Sequence, residues 1–175
     1  YNPLIYNLPH KKNAPVSDFF YFRQDNSFST LFYLSNISSH IFPEIKQNDH
    51  VKVFLYSNIG KRIKELEFNL APFETIKLNF NNYNIKDEFG SFCIFHHLEN
   101  NDLLSQKNTH IAERGYTGFS KDLNFWNFVH GNHNSLYLDN KKVLKSLMPK
   151  SLFKKTYYPQ LTFNQSDYFE IVVNN

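Results

Sequence analysis

From Val51 to Ser57, Val51, Val53 and Leu55 alternate with Lys52, Phe54 and Tyr56. After the turn-like Asn58–Lys61 the alternation resumes, with Leu66, Phe68 and Leu70 on one face and Glu65, Glu67 and Asn69 on the other. A period of two places successive side chains on opposite faces of a strand, and the second run is that of a strand with one side in water. The two runs predict a β-hairpin. Beyond Ala71-Pro72, Ile76, Leu78 and Phe80 alternate with Thr75, Lys77 and Asn79, which predicts a third antiparallel strand continuing a meander.

The rest of the chain follows the same preference. It carries 19 Phe and 11 Tyr against five Gly, and large aromatic side chains favour strands. Phe19–Arg23, Thr30–Asn36 and Ser91–His97 are short apolar runs, each expected as a strand buried on both sides. Further strands are expected at Ala112–Phe119, Asn124–His130, His133–Asp139 and Tyr168–Val173. The polar, Asn- and Asp-rich stretches Asn81–Gly90 and Glu99–Asn108 read as loops. One helix is expected over Asn140–Met148, where Val143, Leu144, Leu147 and Met148 recur at helical spacing before Pro149. Many short strands with a single short helix imply an all-β fold. The expected architecture is a two-sheet antiparallel β-sandwich, Ig-like or jelly-roll-like, with one short helix near 140–148.

The 175 residues are expected to form a single domain over 1–175, with enough chain for a core without disulfide or metal staples. No run approaches the eighteen or so apolar residues of a membrane-spanning helix, and the N-terminal residues lack the apolar run of a signal peptide, so a soluble chain with no membrane span is expected. The sequence starts at Tyr1 and its one methionine is Met148, as in a fragment, a processed product or one repeat of a longer protein. This leaves localisation and oligomeric state open. Asp167–Asn174 loosely echoes Ser29–Asn36, a match too short to establish a repeat. The lone Cys93, inside the run Phe92–Phe95, reads as a buried inert thiol. The net charge of +3, carried by 16 Lys against three Arg, argues against nucleic acid as a partner.

Candidate binding residues centre on His130-Gly131-Asn132-His133. Gly-Asn between two apolar runs resembles a two-residue hairpin turn. Such a turn would set His130 opposite His133, Phe128 opposite Ser135 and Trp126 opposite Tyr137, all on one face. Phe125, Val129, Leu136 and Leu138 would then face the core. Outward-facing indole and phenol rings between two imidazoles could stack on a sugar ring and hydrogen-bond its hydroxyls. Cβ atoms about 5 Å apart would also let both imidazoles reach one metal ion. The blander reading makes Trp126, Phe128 and Tyr137 core residues of the second sheet.

Other signals are weaker. His96-His97 and Glu99 could lend one or two metal ligands, but no His-Glu-x-x-His, His-x-His or Cys-x-x-Cys pattern occurs. Arg114, beside Gly115 and Tyr116, could face an anionic ligand or pair internally with Glu113. The six lysines between Lys141 and Lys155 form a basic patch, usually a solvated face. No nucleophile context or Gly-rich phosphate loop is present, so no catalytic residue and no cofactor is assigned. The resulting expectation is a non-catalytic module that binds carbohydrate through Trp126, Tyr137, His130 and His133, with Arg114 and Tyr116 adding polar contacts. The alternatives, in order, are an assembly module of a larger surface or particle protein and a metal-dependent enzyme.

Overall fold

The computed structural model of the protein describes residues 15–86, 88–106, 111–138 and 144–146, and of 132–135, 145 and 146 the backbone alone. Eleven strands occur among them. They are β1 (Val16–Arg23), β2 (Ser29–Ser35), β3 (Asp49–Ser57), β4 (Arg62–Leu70), β5 (Thr75–Asn79), β6 (Phe89–Leu98), β7 (Ala112–Glu113), β8 (Tyr116–Ser120), β9 (Asn127–His130), β10 (Asn132–Leu138) and β11 (Leu144–Ser146). The strands form two sheets. One runs β11-β10-β1-β6-β3-β4 with β7 paired to β1; the other runs β5-β2-β8-β9. The expected all-β, two-sheet sandwich is the observed one. No helix among the described residues is long and apolar enough to cross a membrane.

The alternating run at 51–70 folds as its pattern requires. β3 and β4 pair antiparallel from Asp49 opposite Leu70 to Tyr56 opposite Arg62, with Ile63 as an extra bulged residue. Val51, Val53, Leu55, Leu66 and Leu70 turn to the core, while Lys52 bridges Glu65 and Glu67 on the outer side. β6 completes the centre of this sheet against β3. The two sheets meet through aromatic rings. Phe20 and Phe92 of the large sheet meet Phe32 of the small one, with ring centroids 5.1 Å apart for Phe20–Phe32 and 5.8 Å for Phe32–Phe92, and Phe22 stacks on Phe80 at 5.7 Å. Phe80, in the 3-10 turn Phe80–Tyr83, closes the stack 4.8 Å from Phe92. Each such pair adds roughly 0.5–1.5 kcal/mol beyond the area it buries.

Four sequence expectations are corrected. β5 does not continue a meander beside β4; it crosses to the other sheet and pairs with β2, Leu31 opposite Asn79 through Ser35 opposite Thr75. Residues 71–74, with Phe73 at φ 64°, form that crossing. β2 is not buried on both sides, since Tyr33 is exposed. The helix expected over 140–148 is absent where described: Leu144–Ser146 is strand β11, paired with β10, and the other residues of that span lie outside the described residues. The short helices stand elsewhere, α1 at Ile37–Ile41 and α2 at Asp102–Gln106, the latter inside a stretch read as loop. The strand expected at 168–173, its echo of 29–36 and the lysine side chains between 141 and 155 also lie outside the described residues.

The fourth correction concerns 127–138, where no hairpin forms. β9 pairs with β8 in the small sheet, Tyr116 opposite His130 through Phe119 opposite Asn127, and β10 pairs with β1 in the large sheet, Val16 opposite Tyr137. Gly131 is the point at which the chain passes between sheets. A Cβ there would lie 2.6 Å from the buried Phe20 ring and 2.9 Å from the Asp18 Cβ, so only glycine lets the backbone pass this close.

Candidate functional site

The separation of β9 from β10 does not bury the indole; it gives it different neighbours. In the small sheet Thr30, Phe32 and Leu34 face inward, so Leu31 and Tyr33 face outward. By pairing, Lys77 of β5, Tyr116 and Gly118 of β8, and Phe128 and His130 of β9 share that outer face. Trp126, just before β9, joins them: the site of a Cβ on Gly118 lies 2.8 Å from the Phe128 ring and 3.2 Å from the indole. Glycine at 118 thus provides the floor on which both rings lie. Leu31, cross-strand from Gly118, is only 2% exposed although it points away from the core. The indole extends toward the far edge strand, where the Lys77 ammonium stands 5.8 Å from its ring centre.

Around this floor Tyr33 is 52% exposed, Tyr116 56% and Phe128 50%. Three large rings half in water on one sheet face, with a partly exposed indole among them, exceed the scattered apolar residues of an ordinary surface. His130 stands edge-on to Tyr116, ring centres 4.9 Å apart. Its Nδ1 lies 2.8 Å from the Gly131 carbonyl and must donate to it, which leaves acceptor character to Nε2 in the neutral ring. The buried Asp18 carboxylate lies 3.9 Å from the same Nδ1. The chemistry available is a flat apolar platform edged by an imidazole, phenolic hydroxyls and an ammonium.

Of the residues expected at the site, Trp126, Tyr116 and His130 come together here. Tyr137 and His133 belong to β10 in the other sheet, so the pairings Trp126–Tyr137 and His130–His133 do not exist. Arg114 is exposed in the link between β7 and β8, two residues before Tyr116. Phe125 and Val129, expected in the core, are 78% and 56% exposed, because β9 is the edge of its sheet. Leu136 and Leu138 do pack against buried residues, joining Phe54, Cys93 and Phe95. The Cys93 thiol is itself buried, and burial pushes its pKa well up, as expected of an inert thiol. Sequence reasoning missed Tyr33 and Lys77. Their contribution follows from β2 and β5 lying beside β8, a non-local pairing that no local pattern encodes.

A second polar cluster lies inside the sandwich. His96 of β6 is buried with Nδ1 2.6 Å from Asp49 Oδ2 and Nε2 3.0 Å from Glu113 Oε2. The second oxygens accept backbone N–H groups, Asp49 Oδ1 from His97 and Glu113 Oε1 from Gly115. Burial alone would push the imidazole pKa down, but the two carboxylates outweigh it and raise it to about 9. His96 is therefore an imidazolium clamped between strands β3 and β7, a structural ion triad whose two ring nitrogens are both committed. His97 lies on the opposite face of β6, and Glu99 instead stands 3.7 Å from His50. Among the described residues, no three His, Cys, Asp or Glu side chains are grouped to hold a metal ion. Compared with family models, curated proteins and solved structures, the chain matches none of them.

Proposed function

We propose that the protein is a binding module that takes an extended carbohydrate across the outer face of the β5-β2-β8-β9 sheet. The observation that carries the reading is the half-exposed ring set Tyr33, Tyr116 and Phe128 around Trp126, with Gly118 beneath it as a floor. Sugar rings offer flat C–H faces to such rings and hydroxyls to their rim, where His130, Tyr116 and Lys77 supply donors and acceptors. A largely preformed platform loses little side-chain freedom on binding. Trp126 is the only tryptophan, so its emission reports on this face alone. In a titration with a panel of neutral hexasaccharides, at least one should shift that emission saturably. Tyr116→Ala and Phe128→Ala, which leave the fluorophore in place, should weaken the response. A panel that leaves the emission unchanged at millimolar concentration would reject the reading.

A second reading, an assembly module, is favoured by β9 itself. This edge strand carries exposed apolar side chains on both faces, Phe128 on one and Val129 on the other, with Leu123 and Phe125 exposed beside it. Sheet edges of this kind pair readily with another chain. Sedimentation equilibrium separates the two readings. A stable oligomer that Val129→Asp and Phe125→Asp dissociate supports assembly; a monomer unaffected by both supports the ligand platform.

A further inference from the structure

At the far edge of the large sheet a cleft of about 630 Å³ opens between the tip of the β3–β4 hairpin and the connection that follows the 3-10 turn. Four cationic side chains line it, Lys61, Arg62, Lys64 and Lys86, and among the described residues no carboxylate does. Local geometry brings them to the cleft from both faces of the edge strand β4. The bulge at Ile63 turns Arg62 to the outer face, where its guanidinium lies 5.4 Å from the Phe54 ring centre and 3.8 Å from Glu65. Lys64, opposite Leu55, points the other way and donates to the Tyr83 carbonyl, which ties the hairpin to the 3-10 turn. Lys61 and Lys86 are exposed, and among the described residues neither has a carboxylate partner. Ile59, 82% exposed, and Ile85 give the cleft an apolar side.

We infer that this cleft binds a small organic phosphate monoester, its dianionic head among Lys61, Arg62, Lys64 and Lys86 and its apolar body against Ile59 and Ile85. Two features support the assignment. Four lining cations, with Glu65 beside Arg62 the carboxylate paired to them among the described residues, leave a surplus of positive charge that a monocarboxylate would only partly balance. The planar guanidinium, already held on Phe54, offers paired N–H donors matched to phosphate oxygens, while the lysines act as point charges around it. The apolar wall favours an ester over the free ion. The site shares no residue with the aromatic face, so the two can be tested apart.

Amide NMR titration of the intact chain with phenyl phosphate, inorganic phosphate and phenol provides the test. Phenyl phosphate should shift the amides of Gly60, Lys61 and Lys86 and bind more tightly than either fragment. The affinity should fall steeply with added salt. Lys61→Glu with Lys86→Glu should weaken binding about tenfold or more. Both side chains are exposed, so the variant should keep its spectrum elsewhere, and Lys61→Gln with Lys86→Gln should give an intermediate loss. Shifts confined to other regions, affinity equal to that of phenol, or affinity unchanged by charge reversal would each overturn the assignment. So would a sulfated oligosaccharide that displaces phenyl phosphate and binds more tightly.

Discussion

The ammonium of Lys77 stands 5.8 Å from the ring centre of Trp126, although Lys77 lies on β5 and Trp126 adjoins β9, the two opposite edges of the four-stranded sheet. The contact is possible only because the indole reaches inward across Gly118 while the lysine reaches over β2 toward it. It links the ends of the aromatic face and puts a positive charge beside its one tryptophan.

That charge gives a direct check on the geometry. Iodide should quench Trp126 emission efficiently, because the ammonium raises the local anion concentration. Lys77→Ala should reduce quenching by iodide while leaving quenching by neutral acrylamide nearly unchanged, at a stability cost of about 0.5–1 kcal/mol for an exposed cation–π contact. Equal effects on the two quenchers would mean that the lysine does not stand over the ring.

Two glycines separate the roles of floor and crossing. At Gly118 an added Cβ meets the outer rings of Phe128 and Trp126, which can swing into solvent, so Gly118→Ala should keep the fold at a cost near 1 kcal/mol while disrupting the platform and exposing Leu31. At Gly131 the Cβ meets the buried Phe20 ring and Asp18, neither of which has room to retreat. Gly131→Ala should therefore cost about 2–4 kcal/mol, seen as a lower urea midpoint. Equal destabilisation by both substitutions would contradict the crossing at Gly131.

What the sequence revealed and what it hid divides at the sheet boundary. The β3–β4 hairpin was legible because strict alternation, a short turn and a one-sided polar face all agree over 51–70. The stretch 130–133 has equally good turn chemistry, yet Gly-Asn there joins two sheets. Local sequence cannot tell a two-residue reversal from a crossing when both need a residue without a Cβ. At β5 the difficulty is different: Ala71-Pro72 marks a turn, but a turn signal does not say whether the next strand returns beside β4 or passes to the other sheet. Trp126, Tyr116 and His130 could therefore be nominated individually from their residue types, but their company, Tyr33 and Lys77, depended on which strands lie beside β8. The buried triad was hidden for a related reason: Asp49, His96 and Glu113 lie on three strands, and only the fold brings their charges together.

That triad sets the pH dependence of stability. The imidazole of His96 moves from an ordinary value of 6.5 in the unfolded chain to about 9 in the folded one. A pKa raised by folding stabilises the protein fully below the unfolded value and loses that contribution as pH climbs through the folded value. The loss should run from about pH 6.5 to 9 and come to about 3–4 kcal/mol in all, at roughly 1.4 kcal/mol for each pH unit. The buried Cys93 thiol and Tyr56 phenol, both raised by burial above ordinary values of 9.0 and 10.0, add losses of the same sign only at higher pH. Urea unfolding between about pH 7 and 8.5 reads this histidine largely clear of His97, whose pKa burial lowers and whose contribution has the opposite sign at lower pH, and the unfolding free energy should fall steadily across that window. In His96→Gln the histidine's own contribution to the slope should be absent. The variant should also be less stable at pH 6 by about 3–5 kcal/mol, because two buried carboxylates lose the cation between them. A wild-type stability that is flat or rising over this range would show that His96 is neutral in the folded protein and that the clamp is not ionic.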